Sequence, residues 1–197
     1  MTAFTTSSAA VLLDRAVQEV GPRPDLDAVR GLADWMARAV TDLRPPYGFD
    51  LLDQLVAADA ESRRTGEGVV LAEAPTGHVM VVRYFPEAEP TPIHGHGGWG
   101  AVLLLRGRCR YETWRAISDE FAELVSSADL GAADTLAWAD PPDDVHRQIG
   151  LAGGATELTI FKCHPFTTQA PQFQPAPDRT RATPPRSNRL VDDSMPS

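Results

Sequence analysis

Residues 91–107 read TPIHGHGGWGAVLLLRG, and this stretch carries the strongest indication of both fold and function. His94 and His96 are separated by one residue, and in a β-strand residues i and i+2 point to the same face. Both imidazoles can therefore face one point, where their neutral nitrogens suit a divalent first-row metal ion. Because many surface pairs of this kind bind nothing, the assignment depends on the residues around the pair.

A third histidine follows a proline-rich turn. Residues 140–146 read DPPDDVH, which predicts a turn that leads into a strand carrying His146. The turn glycine Gly107 also follows the first motif, eleven residues after His96. The alternative is that residues 141–144 form only a turn and that His146 is a core histidine. The joint occurrence of the two motifs favours a metal site formed by His94, His96 and His146.

The chain divides into a helical first third, a β-rich middle and a proline-rich end. Apolar residues at helical spacing predict three helices, with Ser8 and Asp25 as caps of the first two and Asp50 opening the third. Short strands separated by turn residues favour a sandwich or barrel. They are predicted at 69–71, 78–85, 99–105, 108–116, 121–125, 135–138 and 158–164.

Three segments follow from this pattern. Residues 1–66 are predicted to be a helical segment that packs on the barrel, and residues 67–166 to be the barrel itself. Residues 167–197 contain six prolines and little apolar periodicity. They are predicted to be a disordered tail or an arm on the surface.

Composition excludes several classes of partner. The chain of 197 residues suits one compact domain, and its formal charge of −9 repels phosphate backbones and anionic lipid. Nucleic acid and membranes are therefore not expected as partners.

No apolar run is long enough to span a bilayer, and the first residues lack the basic region of a secretion signal. With only Cys109 and Cys163, the chain is predicted to be cytoplasmic with reduced thiols.

The two histidine motifs resemble those of the cupin superfamily, a double-stranded β-helix also called a jelly-roll barrel. Its first motif is HxH followed by an acidic residue and glycine, and its second is PxGxxH. Pro141, Asp143 and His146 match the second motif with aspartate in the glycine position. The acidic residue of the first motif falls at Gly100 or Ala101, so it is missing. The resemblance implies a mainly β cupin barrel preceded by N-terminal α-helices.

A cupin site of three histidines resembles the thiol dioxygenases, in particular the bacterial cysteine dioxygenase and mercaptopropionate dioxygenase branch. The resemblance covers roughly residues 45–166 and is best at the first motif. It implies Fe(II) as cofactor and O2 and a small anionic thiol as substrates, with a sulfinic acid as product. Three neutral ligands leave the metal its full double charge, which favours binding of a soft thiolate. A monomer or homodimer is expected.

The family holds the substrate carboxylate with an arginine before the first motif. That position falls near Gly68 here, and Arg63 or Arg64 could substitute for it if the alignment contains a gap.

Arg83 is the better candidate for that catalytic role. Alternation in its strand places Val81, Arg83 and Phe85 on one face. The resemblance implies that this face lines the barrel interior. Two other positions remain open for Arg83: outward on an edge strand, or paired with an internal acid. Phe85, Trp99 and Phe161 are predicted to form the apolar wall of the substrate site.

One departure from the family concerns a Ser-x-His-x-Tyr relay near the end of the barrel. Thr159, Phe161 and Cys163 stand at those positions, so the polar relay is missing. Such a change favours a changed substrate or reaction. Two alternatives therefore stay open: a three-histidine cupin that oxidises or cleaves a non-thiol substrate such as an enol or diketone, and a cupin that binds a ligand without catalysis.

Overall fold

The structure, a computed structural model, describes residues 7–42, 48–167 and 170–177. Three helices come first, and eight strands follow. The helices are α1 (Ser8–Val20), α2 (Leu26–Asp42) and α3 (Gly48–Thr65). The strands are β1 (Val69–Glu73), β2 (Val79–Phe85), β3 (Ile93–His94), β4 (Gly100–Ala116), β5 (Phe121–Gly131), β6 (Thr135–Trp138), β7 (His146–Phe161) and β8 (Gln172–Pro175).

Local capping sets the helix starts. Ser7 rather than Ser8 caps α1, because the Ala10 amide donates to Ser7 Oγ at 3.2 Å. Asp25 caps α2 as predicted, accepting from the Ala28 amide at 2.8 Å. In α3 the carboxylate of Asp50 lies in the first turn and accepts from the Ser8 amide, which ties the first and third helices together. The predicted stop of the second helix at residues 44–46 lies outside the described residues.

Two long strands run through both sheets of the barrel. The first half of β4 pairs with the second half of β7 in one sheet, whose strand order is β1-β2-β7-β4-β6. Their other halves pair again in a second sheet, where β4 pairs with β5, β5 with β8, β8 with β3, and β3 with β7. This ring of pairings closes the barrel. The prediction of a mainly β barrel preceded by N-terminal helices is confirmed.

Gly107 does not end a strand. The sequence predicts two strands, 99–105 and 108–116, whereas β4 continues through Gly107 with irregular register on both sides. Gly107 has φ +80°, and a Cβ there would lie 2.1 Å from the Gly154 carbonyl oxygen. A side chain is excluded at this point because the two long strands approach each other closely. The glycine therefore marks a β-bulge rather than a hairpin turn.

The helices cover the outer face of the first sheet. Met80 and Val82 of β2 point to the helices and share one buried core with Leu12, Leu32 and Leu51. The alternate residues Val79 and Val81 point into the barrel, where they pack with Trp138 and Phe161. A strand buried on both faces reads as a continuous apolar run, which explains the sequence VMVV at the start of β2.

Part of the proline-rich end belongs to the barrel. Residues 172–175 form β8, which fills the gap between β3 and β5 and closes the second sheet. Phe173 packs against Ile93 and Trp114. The predicted tail therefore contributes a strand, and its residues 178–197 lie outside the described part. No helix among the described residues is long and apolar enough to cross a membrane.

Candidate metal centre

Three histidines converge inside the barrel. His94 lies on β3 directly opposite His146 of β7, and His96 follows two residues after His94. The side-chain nitrogens that can act as ligands all lie within 4.8 Å of one another. The ring centroids of His94 lie 4.7 Å from those of His96 and His146. Among the described residues, no carboxylate or thiol joins this cluster.

Hydrogen bonds fix two of the three rings. His94 Nδ1 lies 2.8 Å from the Pro92 carbonyl oxygen, and His146 Nδ1 lies 2.9 Å from that of Asp144. Since a carbonyl oxygen only accepts, both Nδ1 atoms carry the proton and both Nε2 lone pairs are available to a metal. His96 Nδ1 is buried and has no hydrogen-bond partner among the described residues. This arrangement fits a divalent cation held by imidazole nitrogens.

The histidines are held in the neutral form that a metal requires. Burial lowers the pKa of His96 to about 3, with further contributions from His94 and Arg83. Burial likewise lowers the pKa of His94, and it lowers the pKa of His146 to well below the ordinary 6.5. Protons therefore do not compete with a metal for these nitrogens at neutral pH.

A cavity of about 190 Å³ opens beside the histidines. Besides the three rings, its wall includes Val81, Arg83, Phe85, Trp138, Gln148, Glu157, Thr159, Phe161, Pro165, Phe166 and Gln172. The wall is thus apolar with a few polar groups, as is usual for a site that binds a small molecule.

Arg83 lies in this cavity wall and does not point out from an edge strand. Its Nε atom is buried without a hydrogen-bond partner, and it makes no ion pair with any described residue. Glu157 lies directly opposite Arg83 in the pairing of β2 with β7, and the charge of Arg83 lowers its pKa. A half-buried guanidinium with a buried donor that has no hydrogen-bond partner favours an anionic ligand in the cavity, because burying a donor without a partner is unfavourable.

Two of the three residues predicted for the apolar wall line the cavity, and the third does not. Phe85 and Phe161 line the cavity. Trp99 does not line it; its side chain is 1% exposed and packs in the core shared with the helices. Trp138 takes the position expected of Trp99. The reason is alternation, since Trp99 precedes Gly100 on β4 and its side chain points to the outer face of the sheet.

Trp138 also explains the missing carboxylate of the first motif. Its ring lies over Gly100, where a Cβ would come within 2.0 Å of Trp138 Cζ2. The same indole stacks on His96 at 5.4 Å and lies 4.6 Å from the His146 ring. The space into which a side chain at position 100 would extend is therefore filled by an aromatic ring.

A buried acid in the cavity was not predicted from the sequence. Glu157 is 4% exposed and accepts hydrogen bonds from Gln148 Nε2 at 2.7 Å and from Thr159 Oγ1 at 3.1 Å. Burial raises its pKa to about 7, against the lowering effect of these hydrogen bonds and of Arg83. The sequence offers one indication of Glu157. It stands two residues before Thr159, a relay position, so strand alternation places both side chains on one face. The cavity therefore has a polar network, although it lacks the family's relay.

The residue at the third relay position lies outside the cavity wall. Cys163 is not among the residues of the cavity wall, and its Sγ lies 4.0 Å from the Gly97 carbonyl oxygen. Tyr111 was also missed by the sequence analysis; its ring stacks on that of His146 at 5.2 Å. The His146 ring therefore contacts the aromatic rings of both Tyr111 and Trp138, which restrict its orientation.

The raised pKa of Glu157 predicts a pH-dependent effect on stability. Its pKa of about 7 in the folded protein lies above the ordinary value of 4.5, so its contribution to stability is lost as pH rises through 7. Glu157→Gln removes this loss. In metal-free protein we expect the free energy of unfolding of the variant, relative to wild type, to increase by about 3 kcal/mol between pH 4.5 and pH 8.

Urea unfolding at several pH values measures this difference. Glu120→Gln is the control, because it removes the same charge from an exposed turn. A difference between Glu157→Gln and wild type that stays constant over this pH range would contradict the prediction.

Comparison with known proteins adds one relative by sequence. No protein-family model matches the chain. The anti-sigma-E factor ChrR of Cereibacter sphaeroides is 33% identical over 147 residues, which cover 69% of this chain and 61% of ChrR. The chain thus spans about three fifths of the length of this relative.

Several solved structures have a similar fold at low identity. A cupin superfamily protein from Desulfitobacterium hafniense is 17% identical, with 50% of this chain and 77% of that chain covered and a TM-score of 0.39. A double-stranded β-helix protein from Klebsiella pneumoniae is 18% identical, with 56% and 87% covered and a TM-score of 0.41. The hydroquinone 1,2-dioxygenase PnpCD, in complex with Cd²⁺ and 4-hydroxybenzonitrile, is 11% identical, with 56% and 68% covered and a TM-score of 0.41. These similarities are low, and the fold is assigned from the strand pairing of this chain.

Proposed function

We propose that this cupin-fold chain is a mononuclear Fe(II) dioxygenase that converts a small anionic thiol and O2 to the corresponding sulfinic acid. One observation carries the proposal: among the described residues, three neutral imidazoles with no carboxylate in their cluster face a cavity whose wall also includes Arg83, with its Nε free of any hydrogen-bond partner. The reaction is balanced, since both oxygen atoms of O2 are added to the sulfur of one thiol.

The metal would be held by ring nitrogens of His94, His96 and His146. Bound Fe(II) would supply a Lewis acid for the thiolate and electrons for activation of O2. The protein contributes ligands that carry no charge, so the cation keeps its attraction for an anionic sulfur. Carboxylate coordination would reduce this attraction, and the ring of Trp138 fills the space beside Gly100 where such a carboxylate would be attached.

Arg83 would bind the anionic group of the substrate. The guanidinium offers several N–H donors in a fixed plane, which suits two-point contact with a carboxylate. Phe85, Phe161 and Trp138 supply the apolar wall that excludes water from the bound thiol. A low-dielectric surrounding strengthens the attraction between Arg83 and the substrate.

Glu157 would accept the proton that the thiol loses on binding. Its carboxylate lies in the same cavity wall, and its pKa of about 7 suits proton transfer at neutral pH. Gln148 and Thr159 hold the carboxylate in place through hydrogen bonds to its two oxygens. Together they would replace the relay that the family has at positions 159, 161 and 163.

Oxygen consumption tests the proposal. Purified protein is freed of metal, loaded anaerobically with Fe(II), and mixed with O2 and either 3-mercaptopropionate or cysteine. We expect thiol-dependent O2 uptake at about 1 s⁻¹ or faster and incorporation of two ¹⁸O atoms from ¹⁸O2 into the sulfinate. Protein loaded with Zn(II), which has no redox chemistry, is the control. Absence of uptake with a panel of small thiols would overturn the proposal.

A second candidate is a metal-dependent ligand-binding module with a regulatory role. The observation that favours it is the 33% identity to the anti-sigma factor ChrR. In that case the chain would bind a sigma factor as its protein partner, and the cavity would sense a small molecule or the metal itself. Ligand binding without turnover, together with binding to a sigma factor, would select this function.

A third candidate is oxidation or cleavage of a non-thiol substrate. The replacement of the relay by Thr159, Phe161 and Cys163 favours it. Uptake of O2 with acetylacetone or another enol, and none with thiols, would select this reaction.

A further inference from the structure

The turn before β7 links the two motifs of the metal site. Asp144 is 3% exposed, and its Oδ2 atom accepts hydrogen bonds from the backbone amides of His96 and Gly97, both at 2.8 Å. The backbone carbonyl oxygen of the same residue accepts from His146 Nδ1 at 2.9 Å. One residue therefore contacts the main chain at one histidine and the ring of another.

We propose that Asp144 is a positioning residue that sets the geometry of the metal site without binding the metal. This inference rests on the metal site of the proposed function, but not on the reaction. The carboxylate of Asp144 is directed at two backbone amides and is not part of the histidine cluster. Its role is to hold the loop of the first motif against the turn of the second.

The loop needs such an anchor because of its composition. Between β3 and β4 the chain reads GHGGW, with glycines at positions 95, 97 and 98. Glycine has more conformational freedom than any other residue, so this loop has little intrinsic tendency to keep His96 in one position. Two hydrogen bonds to a buried carboxylate are charge-assisted and therefore stronger than the bonds of an ordinary loop.

Close packing at Gly95 supports the same role. A Cβ on Gly95 would lie 2.8 Å from Asp144 Oδ2 and 3.2 Å from its Cγ, so the carboxylate packs directly against the main chain of the loop. Asp140 also contacts the loop, but its Oδ1 accepts from the Trp99 amide, beyond the histidines, and its Oδ2 from Lys162 Nζ. Among the described residues, Asp144 is the acid that bonds at a metal-binding histidine.

Metal affinity tests the role of Asp144. Metal-free protein is titrated with Co(II) against a competing chelator, with the ligand-field spectrum as a second readout. We expect Asp144→Ala to raise the Kd for Co(II) by about 10–100-fold. Asp144→Asn keeps an acceptor oxygen without the charge and should give a smaller increase. Asp143→Ala is the matched control, because it removes an exposed carboxylate from the same turn and should leave the Kd unchanged.

A double-mutant cycle separates positioning from general damage to the fold. Gly95→Ala should also weaken Co(II) binding, because its Cβ would push the loop away from Asp144 Oδ2. In the Asp144→Ala background the same substitution should have little further effect, since the contact is already lost. Circular dichroism of the metal-free variants checks that each is folded. If Asp144→Ala does not fold, Gly95→Ala and Asp144→Asn still test the contact.

The outcomes distinguish this inference from the proposed function. Wild-type protein that binds no Co(II) would overturn both. Wild-type binding together with a Kd for Asp144→Ala within about threefold of wild type would overturn the role of Asp144 alone. Additive effects of Gly95→Ala and Asp144→Ala would do the same.

Discussion

Replacing His146 with alanine is expected to reduce bound metal from about one ion per chain to nearly none. His146 supplies one of three ligand nitrogens within 4.8 Å of one another, and its ring is 2% exposed. Loss of groups that merely orient a ligand weakens metal binding by about 10–100-fold, so loss of a ligand should weaken it by more than about 100-fold. Two histidines alone leave the cation without a third protein ligand.

Metal analysis of protein equilibrated with a defined excess of Fe(II) or Co(II) measures this loss. His96→Ala serves as a second variant, because its side chain is less deeply buried and its removal disturbs packing less. His78→Ala is the control. Its ring contacts Trp99 outside the cavity, so the metal content should equal that of wild type. Full retention of metal by His146→Ala would mean that His146 is a core residue rather than a ligand.

Arg83→Ala is expected to raise the KM for a carboxylate-bearing thiol by about 10–100-fold while the metal content stays the same. Hydrogen bonds to charged groups contribute about 1.5–3 kcal/mol, which corresponds to this range. The guanidinium lies in the cavity wall with a buried Nε that has no partner among the described residues, so a substrate carboxylate would meet an unoccupied donor. A rise in KM at constant kcat would indicate loss of binding that is equal in ground state and transition state.

A comparison of two substrates isolates this contact. For 3-mercaptopropionate the variant should be much weaker than wild type, whereas for ethanethiol, which has no carboxylate, the two proteins should be alike. Arg108→Ala removes an exposed arginine and serves as the control for charge. Arg83→Lys keeps the charge without the planar donor pair and should fall between wild type and Arg83→Ala. Equal kinetics of Arg83→Ala and wild type would remove Arg83 from the site.

The cluster of three histidines could be predicted from the sequence because it depends on short-range geometry. His94 and His96 face one point through the two-residue period of an extended chain, and the turn before His146 has a local signature of prolines and aspartates. Val81, Arg83 and Phe85 all lie in the cavity wall, as the same two-residue period predicts. Trp99 was misplaced because proximity to the histidines in sequence was taken for proximity in space.

Other features of the site depend on contacts between distant segments. Glu157 and Trp138 reach the cavity only because β7 and β6 pair with the first half of β4. The bond from His96 to Asp144 spans 48 positions of the chain. Neither local propensity nor a periodic pattern contains such a pairing, so these residues could not be assigned from the sequence.

The amino-acid sequence by itself determined the helical first third, the β-rich middle and the set of three histidines that converge in the barrel. These properties follow from helical and strand periodicity and from turn residues, which act over a few positions. Only the tertiary structure decided that Gly107 is a bulge, that residues 172–175 close the barrel and that Trp138 fills the space beside Gly100. The physical reason is that these outcomes depend on close packing and strand pairing between segments far apart in the chain, where excluded volume selects one arrangement.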